Sequence, residues 1–600
     1  MGKILRVNLA TSKISIEDVT QSDEIKYIGG AGVAAAIFNS EVSPNINAFD
    51  GENLLIFSVG PFCGTSVPFC GRHFVMAKSP LTKILGESSA GGFFGKEMKS
   101  AGFDHIIIQG KSEKPVYLWI NNDKVEIIDA SDIWKAGTKE TEAKIKKSIG
   151  DSNIKIASIG PAGVNLVKFA AIISETQHAA GRCGMGAVMG SKNLKAIAIK
   201  GDGQVSVNNQ ALLNDAVKEI RDMIKEDPMA NVMKDTGTLV HMDNYVGMGD
   251  VPIKNYTMSK WLGTKKIGFY ALQEKFKIKH YACFNCPVAC RAFIDYEGEM
   301  VAWPEYETLA MMGSLLFIDN LEALIKWNGI LNDLGMDTIS LGSTLGAFLE
   351  AIERKLLNIE LKDLGFESDP ENPTELKIWG SVGAIEKLFF KIAKREGIGD
   401  ELAEGVRIFC RNNKLPEDLE SHGKGLEIPA HEPRCNNMTA LDYATSSRGA
   451  YHCYEPMHLS SMANRKIDIS LSEKVDRFAI DEAVDAVVKM QDACEAYSAA
   501  GGCVFGFWYS NYVGPWVKAL NAITGNNYTI EKWMEAGRNI FNLKRKFNIS
   551  CGITKDDDTI GPRFFKPIDK GGTRKNVPPL KDLVTKYYNI RGWNEKGSPL

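Results

Sequence analysis

The sequence lacks any marked excess of charge. Its 600 residues include 71 Lys and Arg against 74 Asp and Glu, which gives a formal net charge of −3. A protein that binds nucleic acid through bulk electrostatics carries a basic surface, so we expect no nucleic-acid partner. Low-complexity segments and detectable repeats are also absent, and 44% of the residues are hydrophobic. These features exclude collagen, coiled coils and intrinsic disorder, and they are typical of a globular protein with a sizeable core.

The sequence is also poor in long apolar runs. Residues 1–9 contain no apolar stretch before a small-residue cleavage site, so they indicate a strand and not a signal peptide. The longest uncharged run, residues 496–517, includes Gly501, Gly514 and Pro515, which favours buried protein over a membrane helix. We therefore expect a cytoplasmic protein without a membrane segment. Its 12 cysteines are then thiols available for metal or redox chemistry.

The hydrophobic pattern changes along the chain and predicts an α+β protein. Up to about residue 205, short β-branched and aromatic runs predict strands at 54–59, 105–108, 116–120, 125–128 and 155–160. Later segments follow a helical period and predict helices at 211–225, 321–334, 338–357, 385–395, 401–412, 473–497 and 530–547. We predict three domains: a β-rich domain over 1–205 and two mainly helical domains over 206–413 and 414–600.

Three cysteines are closely spaced in the second predicted domain. Cys283, Cys286 and Cys290 form the pattern C-x2-C-x3-C. Three thiolates within eight residues, completed by a distant fourth, suit a [4Fe–4S] cluster, whereas one further cysteine would equally complete a tetrahedral zinc site. The spacing favours iron–sulfur but does not identify the fourth ligand. Cys503 is one candidate, because its neighbours Gly501 and Gly502 allow backbone to approach a cofactor.

Two glycine-rich segments, residues 88–95 and 179–190, are unusual for their small side chains. Exposed backbone N–H groups in such segments can hold phosphate or a flat cofactor. Arg72 and Arg182 could add charge-assisted hydrogen bonds to phosphate. The alternative interpretation is tight turns and close sheet packing. Residues 29–32 lack the G-x-G-x-x-G spacing of a dinucleotide site.

Several of these segments together resemble the aldehyde:ferredoxin oxidoreductase family of tungsten-pterin enzymes. The likeness runs from residues 2–9 to residues 588–593. Its most specific parts are residues 184–192, the C-x2-C-x3-C, Pro304-Glu305-Tyr306-Glu307-Thr308 and residues 334–340. Some of these motifs are closer to the formaldehyde-oxidising branch of the family.

The resemblance implies a fold and a set of cofactors. The fold is a β-rich base for two pyranopterins followed by two helical domains. Tungsten, or molybdenum, is held by the four dithiolene sulfurs of the pterins and not by side chains, and Mg²⁺ bridging the pterin phosphates is a further expectation. The implied [4Fe–4S] ligands are Cys283, Cys286, Cys290 and Cys503.

The resemblance also implies pterin contacts. Two family motifs of the form D-x-x-G-L-(D/C) stand here at residues 332–337 and 498–503, with the leading aspartates replaced by Asn332 and Ser498. Tyr454 stands where some members have a lysine. The positions that fall on pterin contacts are Arg72, Ser89, Gly91, Arg182, Asn332, Asp337, Arg448, Ser498 and Gly502.

Two residues are carried over as catalytic candidates. Glu307 matches a family glutamate near the metal, where a carboxylate can act as a general base. His452 matches a histidine that faces the metal site and could donate a proton or a hydrogen bond to the substrate oxygen. The alternatives are an ordinary helix glutamate and a structural histidine. His431 and Cys453 are weaker candidates for the pocket, and we interpret residues 455–458 as packing or support.

The resemblance predicts an enzyme that oxidises small aldehydes to carboxylic acids. Electrons would pass through the cluster to ferredoxin or to a separate iron–sulfur subunit, in a homo- or hetero-oligomer. One alternative is the catalytic subunit of a benzoyl-CoA-type reductase with the same cofactors. Another, of a different class, is a zinc-stabilised protein without catalytic activity.

Overall fold

Twelve strands build the first third of the chain into two sheets. The computed structural model describes residues 2–370, 375–454, 468–471, 474–510 and 512–600; the 455–458 segment lies outside them. The strands are β1 (Lys3–Asn8), β2 (Lys13–Asp18), β3 (Leu55–Ser58), β4 (His73–Lys78), β5 (Leu85–Ala90), β6 (His105–Gln109), β7 (Val116–Asn121), β8 (Lys124–Asp129), β9 (Lys155–Ser158), β10 (Ile172–Ser174), β11 (His178–Ala180) and β12 (Leu194–Lys200).

Each sheet has six strands and mixed direction. The first has the order β2-β1-β6-β3-β4-β5 and the second β11-β10-β9-β12-β7-β8. In each, a single pair is parallel: β1 with β6, and β12 with β7. The strands predicted from β-branched runs are all present, including the β7–β8 hairpin. The inner strands β3, β4 and β10 are buried along their whole length, and β12 is buried except at its last residue, because helices and the later domains cover both faces.

Each of the two sheets contacts a later segment of the chain through a pair of closely packed glycines. β3 and β9 are each followed by a Gly-Pro turn, at Gly60 and Gly160. Gly160 packs against Gly335 and Gly60 against Gly501, so closely that a Cβ on Gly335 or Gly501 would lie 2.8 or 3.0 Å from the facing glycine nitrogen. Gly335 and Gly501 both have positive φ, at 72° and 95°, a conformation that favours glycine. The two sheets thus share one arrangement, a glycine after a strand packed against a positive-φ glycine from a later segment, which the sequence pattern did not reveal.

The rest of the described chain is mainly helical, as predicted. A three-stranded sheet, β13 (Ile278–Tyr281), β14 (Arg291–Tyr296) and β15 (Glu299–Ala302), was not predicted, and it frames the cysteine motif. A short pair, β16 (His422–Gly423) and β17 (Leu426–Glu427), follows later. One apolar core runs through all three parts of the chain.

The helices agree with the predicted positions with two exceptions: the helix predicted over 473–497 begins only at Asp481, and the one predicted over 401–412 is broken. Residues 401–412 do not form one helix, because Gly405 has a φ of 83° and separates Ile398–Leu402 from Val406–Asn412. Among the described residues, no helix is both long enough and apolar enough to cross a bilayer. The α-helices of the described chain are Gln21–Tyr27, Gly30–Glu41, Phe94–Ser100, Thr138–Ile149, Pro161–Val164, Met185–Ser191, Gln210–Glu226, Pro228–Thr236, Val240–Tyr245, Phe269–Lys275, Tyr306–Met312, Leu321–Leu334, Thr338–Glu353, Val382–Lys394, Ile398–Leu402, Val406–Asn412, Asn437–Thr445, Asp481–Ala499, Val504–Ser510, Gly514–Thr524, Ile530–Ser550 and Leu580–Arg591.

Candidate active site

A large cavity lies where the two sheets meet the helical part of the chain. It encloses about 1800 Å³ of empty space, including its opening to solvent. Most residues singled out from the sequence line it, although they come from distant parts of the chain. Those lining residues are Arg72, Ser89, Gly91, Arg182, Cys283, Cys286, Cys290, Glu307, Asn332, Asp337, His452 and Cys503.

The cysteine motif and Cys503 are held together by one short loop. Asn285 donates its side-chain N–H to the carbonyls of Ser66 and Val67, each at 2.7 Å, and its own carbonyl accepts from Phe69 N at 3.2 Å. Phe69 O in turn accepts from Cys503 N at 2.9 Å. These hydrogen bonds therefore hold the backbone of Cys503, the predicted fourth ligand, close to the loop that carries the other three cysteines.

The four thiols line the cavity without converging on a point. Within the described ranges, no three His, Cys, Asp or Glu side chains lie close enough to hold a single metal ion. Burial raises the pKa of Cys283 and Cys290 and that of Cys286 to about 12. Buried thiolates need nearby positive charge, which the irons of a cluster would supply. The donor set and its surroundings fit an iron–sulfur cluster.

Arg72 lies between the cysteines and the first glycine-rich segment. It donates to Ser89 Oγ at 2.8 Å, and its Nε has no hydrogen-bond partner in the described structure. Burial lowers the pKa of Arg72, but Cys503, Tyr451 and Cys453 together raise it, and the net direction is upward. At Gly91 a Cβ would lie 2.9 Å from Cys283 Sγ. A fixed cation beside bare backbone fits an anionic group on a flat cofactor.

Arg182 and Asp337 form a second arginine-centred contact. Arg182 Nε lies 3.4 Å from Asp337 Oδ2, and Nη2 donates to Glu427 O at 2.6 Å. Its Nη1 is buried without a hydrogen-bond partner in the described part of the chain. Asp337 caps the helix Thr338–Glu353 by accepting from Ser340 N at 3.2 Å. Because a buried guanidinium N–H without an acceptor is costly, Nη1 also fits an anion in the cavity.

Three predicted pterin contacts lie behind the cavity lining. Arg448 is buried and pairs with Glu87, a lining residue, at 2.7 Å. Tyr454 accepts from Arg448 at 3.3 Å and donates to Ser498 Oγ at 2.9 Å. A Cβ on Gly502 would overlap the ring of Tyr497. These residues support the wall and do not reach the cavity.

Glu307 lies at the N-terminus of the helix Tyr306–Met312 and faces two imidazoles. Its Oε2 accepts from Ala430 N at 2.9 Å, which fixes the carboxylate. Its Oε1 lies 3.3 Å from His452 Nε2 and 3.7 Å from His431 Nε2. The two catalytic candidates and the weaker candidate His431 are therefore in one cluster.

His452 and Cys453 influence each other's protonation. Burial lowers the pKa of His452, but Cys453 and Glu307 raise it, and the net direction is upward. Burial raises the pKa of Cys453, whereas His452 lowers it, and the result is about 7. An imidazole that is charged more readily than usual suits hydrogen-bond donation to a substrate oxygen.

Sequence reasoning missed two acidic residues at this site. Asp250 lies 2.7 Å from His431 Nδ1, and Glu87 holds Arg448. Glu87 stands immediately before the glycine-rich segment 88–95, which was a usable signal. No signal in the sequence connects Asp250 to a histidine 181 positions away.

Comparisons with known proteins show the family of the chain. The family described as aldehyde ferredoxin oxidoreductase matches as its N-terminal domain over residues 4–201 and as its domains 2 and 3 over residues 215–600. The tungsten-containing aldehyde ferredoxin oxidoreductase of Pyrococcus furiosus is 36% identical, over 99% of this chain and 96% of that protein. The aliphatic sulfonate oxidoreductase WOR-like subunit of the same organism is 30% identical, over 100% and 95%.

A solved structure has the same fold. The active-site complex BamBC of benzoyl coenzyme A reductase, in complex with 1,5-dienoyl-CoA, superposes with a TM-score of 0.84 at 26% identity, over 100% of this chain and 95% of that chain. The predicted α+β architecture is thereby confirmed, and the relatives are oxidoreductases. This chain belongs to the aldehyde ferredoxin oxidoreductase family of enzymes.

Proposed function

We propose that this enzyme oxidises small aldehydes to carboxylic acids and passes the electrons to ferredoxin or to a separate iron–sulfur subunit. The observation that carries the proposal is the Glu307 carboxylate facing His452 Nε2 at 3.3 Å in the cavity that also contains the cluster cysteines. A base, a hydrogen-bond donor and a site for an electron-accepting cofactor then lie around one space.

The lining residues divide between two cofactors. Cys283, Cys286, Cys290 and Cys503 would hold one [4Fe–4S] cluster. A tungsten or molybdenum bis-pyranopterin would contact Arg72, Ser89, Gly91, Arg182, Asn332 and Asp337, with Arg448, Ser498 and Gly502 supporting the wall from behind. Mg²⁺ between the pterin phosphates remains a prediction. When bound, these groups accept two electrons from the substrate and release them singly.

The side chains carry the proton chemistry. Aldehyde and water give carboxylate, three protons and two electrons. Glu307 Oε1 takes a proton from water as the water oxygen bonds to the carbonyl carbon, a role that general bases fill with rate gains of about 10²–10⁴. His452 donates a hydrogen bond to the carbonyl oxygen as negative charge develops there.

The test is Glu307→Gln in protein purified without oxygen. The amide keeps the shape but cannot take the proton, so we expect aldehyde oxidation with a viologen dye to fall about a hundredfold or more. Tungsten, molybdenum, iron and zinc are measured on the same sample. Full turnover by a variant with native metal content would contradict the base assignment, and zinc as the only metal would contradict both cofactor sites.

A second candidate reaction is the reduction of an aromatic acyl-CoA. It is favoured by the likeness to the BamBC complex over the whole chain. An anaerobic panel of aldehydes and aryl-CoA esters separates the two reactions. Turnover of aryl-CoA esters alone would replace our proposal with this one.

A further inference from the structure

A buried carboxylate lies behind His431, on the side of the ring away from Glu307. Asp250 Oδ2 is 2.7 Å from His431 Nδ1, and both residues are buried. The backbone reinforces the contact, because Glu432 N donates to Asp250 O at 2.8 Å. The contact fixes the ring orientation of His431, since an imidazole whose Nδ1–H is held by a carboxylate has its Nε2 left to face outward.

The outward nitrogen of His431 faces the reactive oxygen of Glu307. Nε2 lies 3.7 Å from Oε1, and His452 Nε2 lies 3.3 Å from the same atom. Oε1 has no hydrogen bond within the described chain, whereas Oε2 accepts from Ala430 N. Oε1 is therefore the oxygen free to take a proton. Proton transfers over such distances occur after small movements or through one water.

The two imidazoles differ in what lies behind them. His431 has the Asp250 carboxylate at Nδ1, whereas the Cys453 thiol and the Glu307 carboxylate are the groups that raise the pKa of His452. An imidazolium is stabilised by a carboxylate on its Nδ1–H. His431 is thus built to receive a proton, and His452 remains available to the substrate.

We propose that Asp250 and His431 form a proton-accepting pair that restores Glu307 after each turnover. The proposal rests on the proposed function. Water gives one proton to Glu307 Oε1 as its oxygen bonds to the carbonyl carbon; the cofactors, when bound, would take the two electrons and the aldehydic proton. The Glu307 O–H bond then breaks as the proton passes to His431 Nε2, and the imidazolium releases it to water at the cavity, which His431 lines. Asp250 is a positioning residue, since it reaches the reaction only through His431.

Two titratable neighbours of His431, His241 and Tyr306, do not take over this role. Burial lowers the pKa of His241 to about 3 and raises that of Tyr306 well above its usual value. Both are therefore neutral at ordinary pH. Among the described residues, the groups that face the imidazole include Asp250, Glu307, His452, His241, Tyr245 and Tyr306.

The experiment compares the native holoenzyme with Asp250→Asn. We expect kcat for aldehyde oxidation to fall at least tenfold and its pH profile to change, while KM stays within about twofold. Asp250→Glu should recover part of kcat. The matched control is Glu420→Gln, which removes the carboxylate of the His422–Glu420 pair, 3.2 Å apart and outside the cavity, and should keep native kcat.

A second measurement does not depend on turnover. The protein is labelled with ¹⁵N-histidine and studied by NMR; of its nine histidines, His431 is assigned as the one whose signals disappear in His431→Gln. We expect His431 to carry its proton on Nδ1. Asp250→Asn should shift the proton toward Nε2, and Glu307→Gln should change the Nε2 signal.

The outcomes separate this proposal from the proposed function. A native enzyme without aldehyde activity refutes the proposed function. The histidine signals still show whether Asp250 holds the proton of His431 on Nδ1. An unchanged His431 signal in Asp250→Asn overturns the pair, as does native kcat and pH profile with full metal content. Should Asp250→Asn fail to fold, His431→Gln must lower kcat at least tenfold at native metal content, or the pair is refuted.

Discussion

Two half-sites on opposite sheets are built alike but carry different chemistry. In one, Gly160 supports the turn at Gly335, and Arg182 lies beside Asp337. In the other, Gly60 supports the turn at Gly501, and Arg72 interacts with Cys503. Each half-site combines a Gly-Pro turn, a helix end with a positive-φ glycine, and an arginine paired with the residue two positions after that glycine.

The difference lies in that last residue. Asp337 is used by the protein itself, because its carboxylate caps the following helix through Ser340 N and Ser340 Oγ. The Cys503 side chain instead interacts with Arg72, and its backbone N–H donates to Phe69 O. One scaffold thus places a helix-capping carboxylate on one side and, on the other, the thiol that we propose as the fourth cluster ligand.

The two half-sites should differ most in the iron content that remains when the side chain of Cys503 or of Asp337 is removed. Cys503→Ala removes one of four thiolates, so we expect loss of more than half of the iron and acid-labile sulfide per chain. Asp337→Ala removes a helix cap, which costs about 0.5–2 kcal/mol of stability, and should leave iron near its native content. Iron and sulfide analysis of anaerobically purified protein measures both.

The same pair of variants can break the comparison. Native iron and sulfide in Cys503→Ala would show that the fourth ligand lies elsewhere. Equal iron loss in the two variants would indicate general unfolding, which the melting temperature detects independently.

A smaller effect is expected at the supporting glycines. A Cβ on Gly60 would overlap the backbone of Ala500 and Gly501, and a Cβ on Gly160 that of Asp333 and Leu334. Forcing an extra carbon into such contacts costs about 1–3 kcal/mol. Both alanine variants should have a lower melting temperature. Only Gly60→Ala should also lose iron, because the segment packed against Gly60 leads directly to Cys503.

Gly383→Ala is the matched control for the glycine variants. Gly383 lies in a helix, and nothing lies within 4 Å of its Cβ position. Alanine there should raise stability by up to about 1 kcal/mol. Iron loss in Gly160→Ala equal to that in Gly60→Ala would refute the separate roles of the half-sites.

The sequence predicted what local pattern or motif encodes. Runs of β-branched residues predicted the strands, and the C-x2-C-x3-C and the motif around Glu307 located most of the cavity. The break at Gly405 was missed because a single glycine within a helical pattern is ambiguous. Contacts such as Asp250 with His431 and Tyr454 with Ser498 join residues far apart in the chain. One sequence without aligned relatives contains no record of such pairs.

The smallest effect should come from the altered leading positions, Ser498 and Asn332. Ser498 Oγ accepts from Tyr454, and Ser498→Ala leaves that buried hydroxyl without its acceptor, which should cost about 1 kcal/mol of stability. Because Ser498 lies behind the cavity lining, tungsten content should not change.

Asn332 does line the cavity, so Asn332→Ala should melt near the native temperature but retain less tungsten after dialysis. The reverse pattern, with tungsten lost only from Ser498→Ala, would mean that the second half-site contacts the pterin more directly than its geometry indicates.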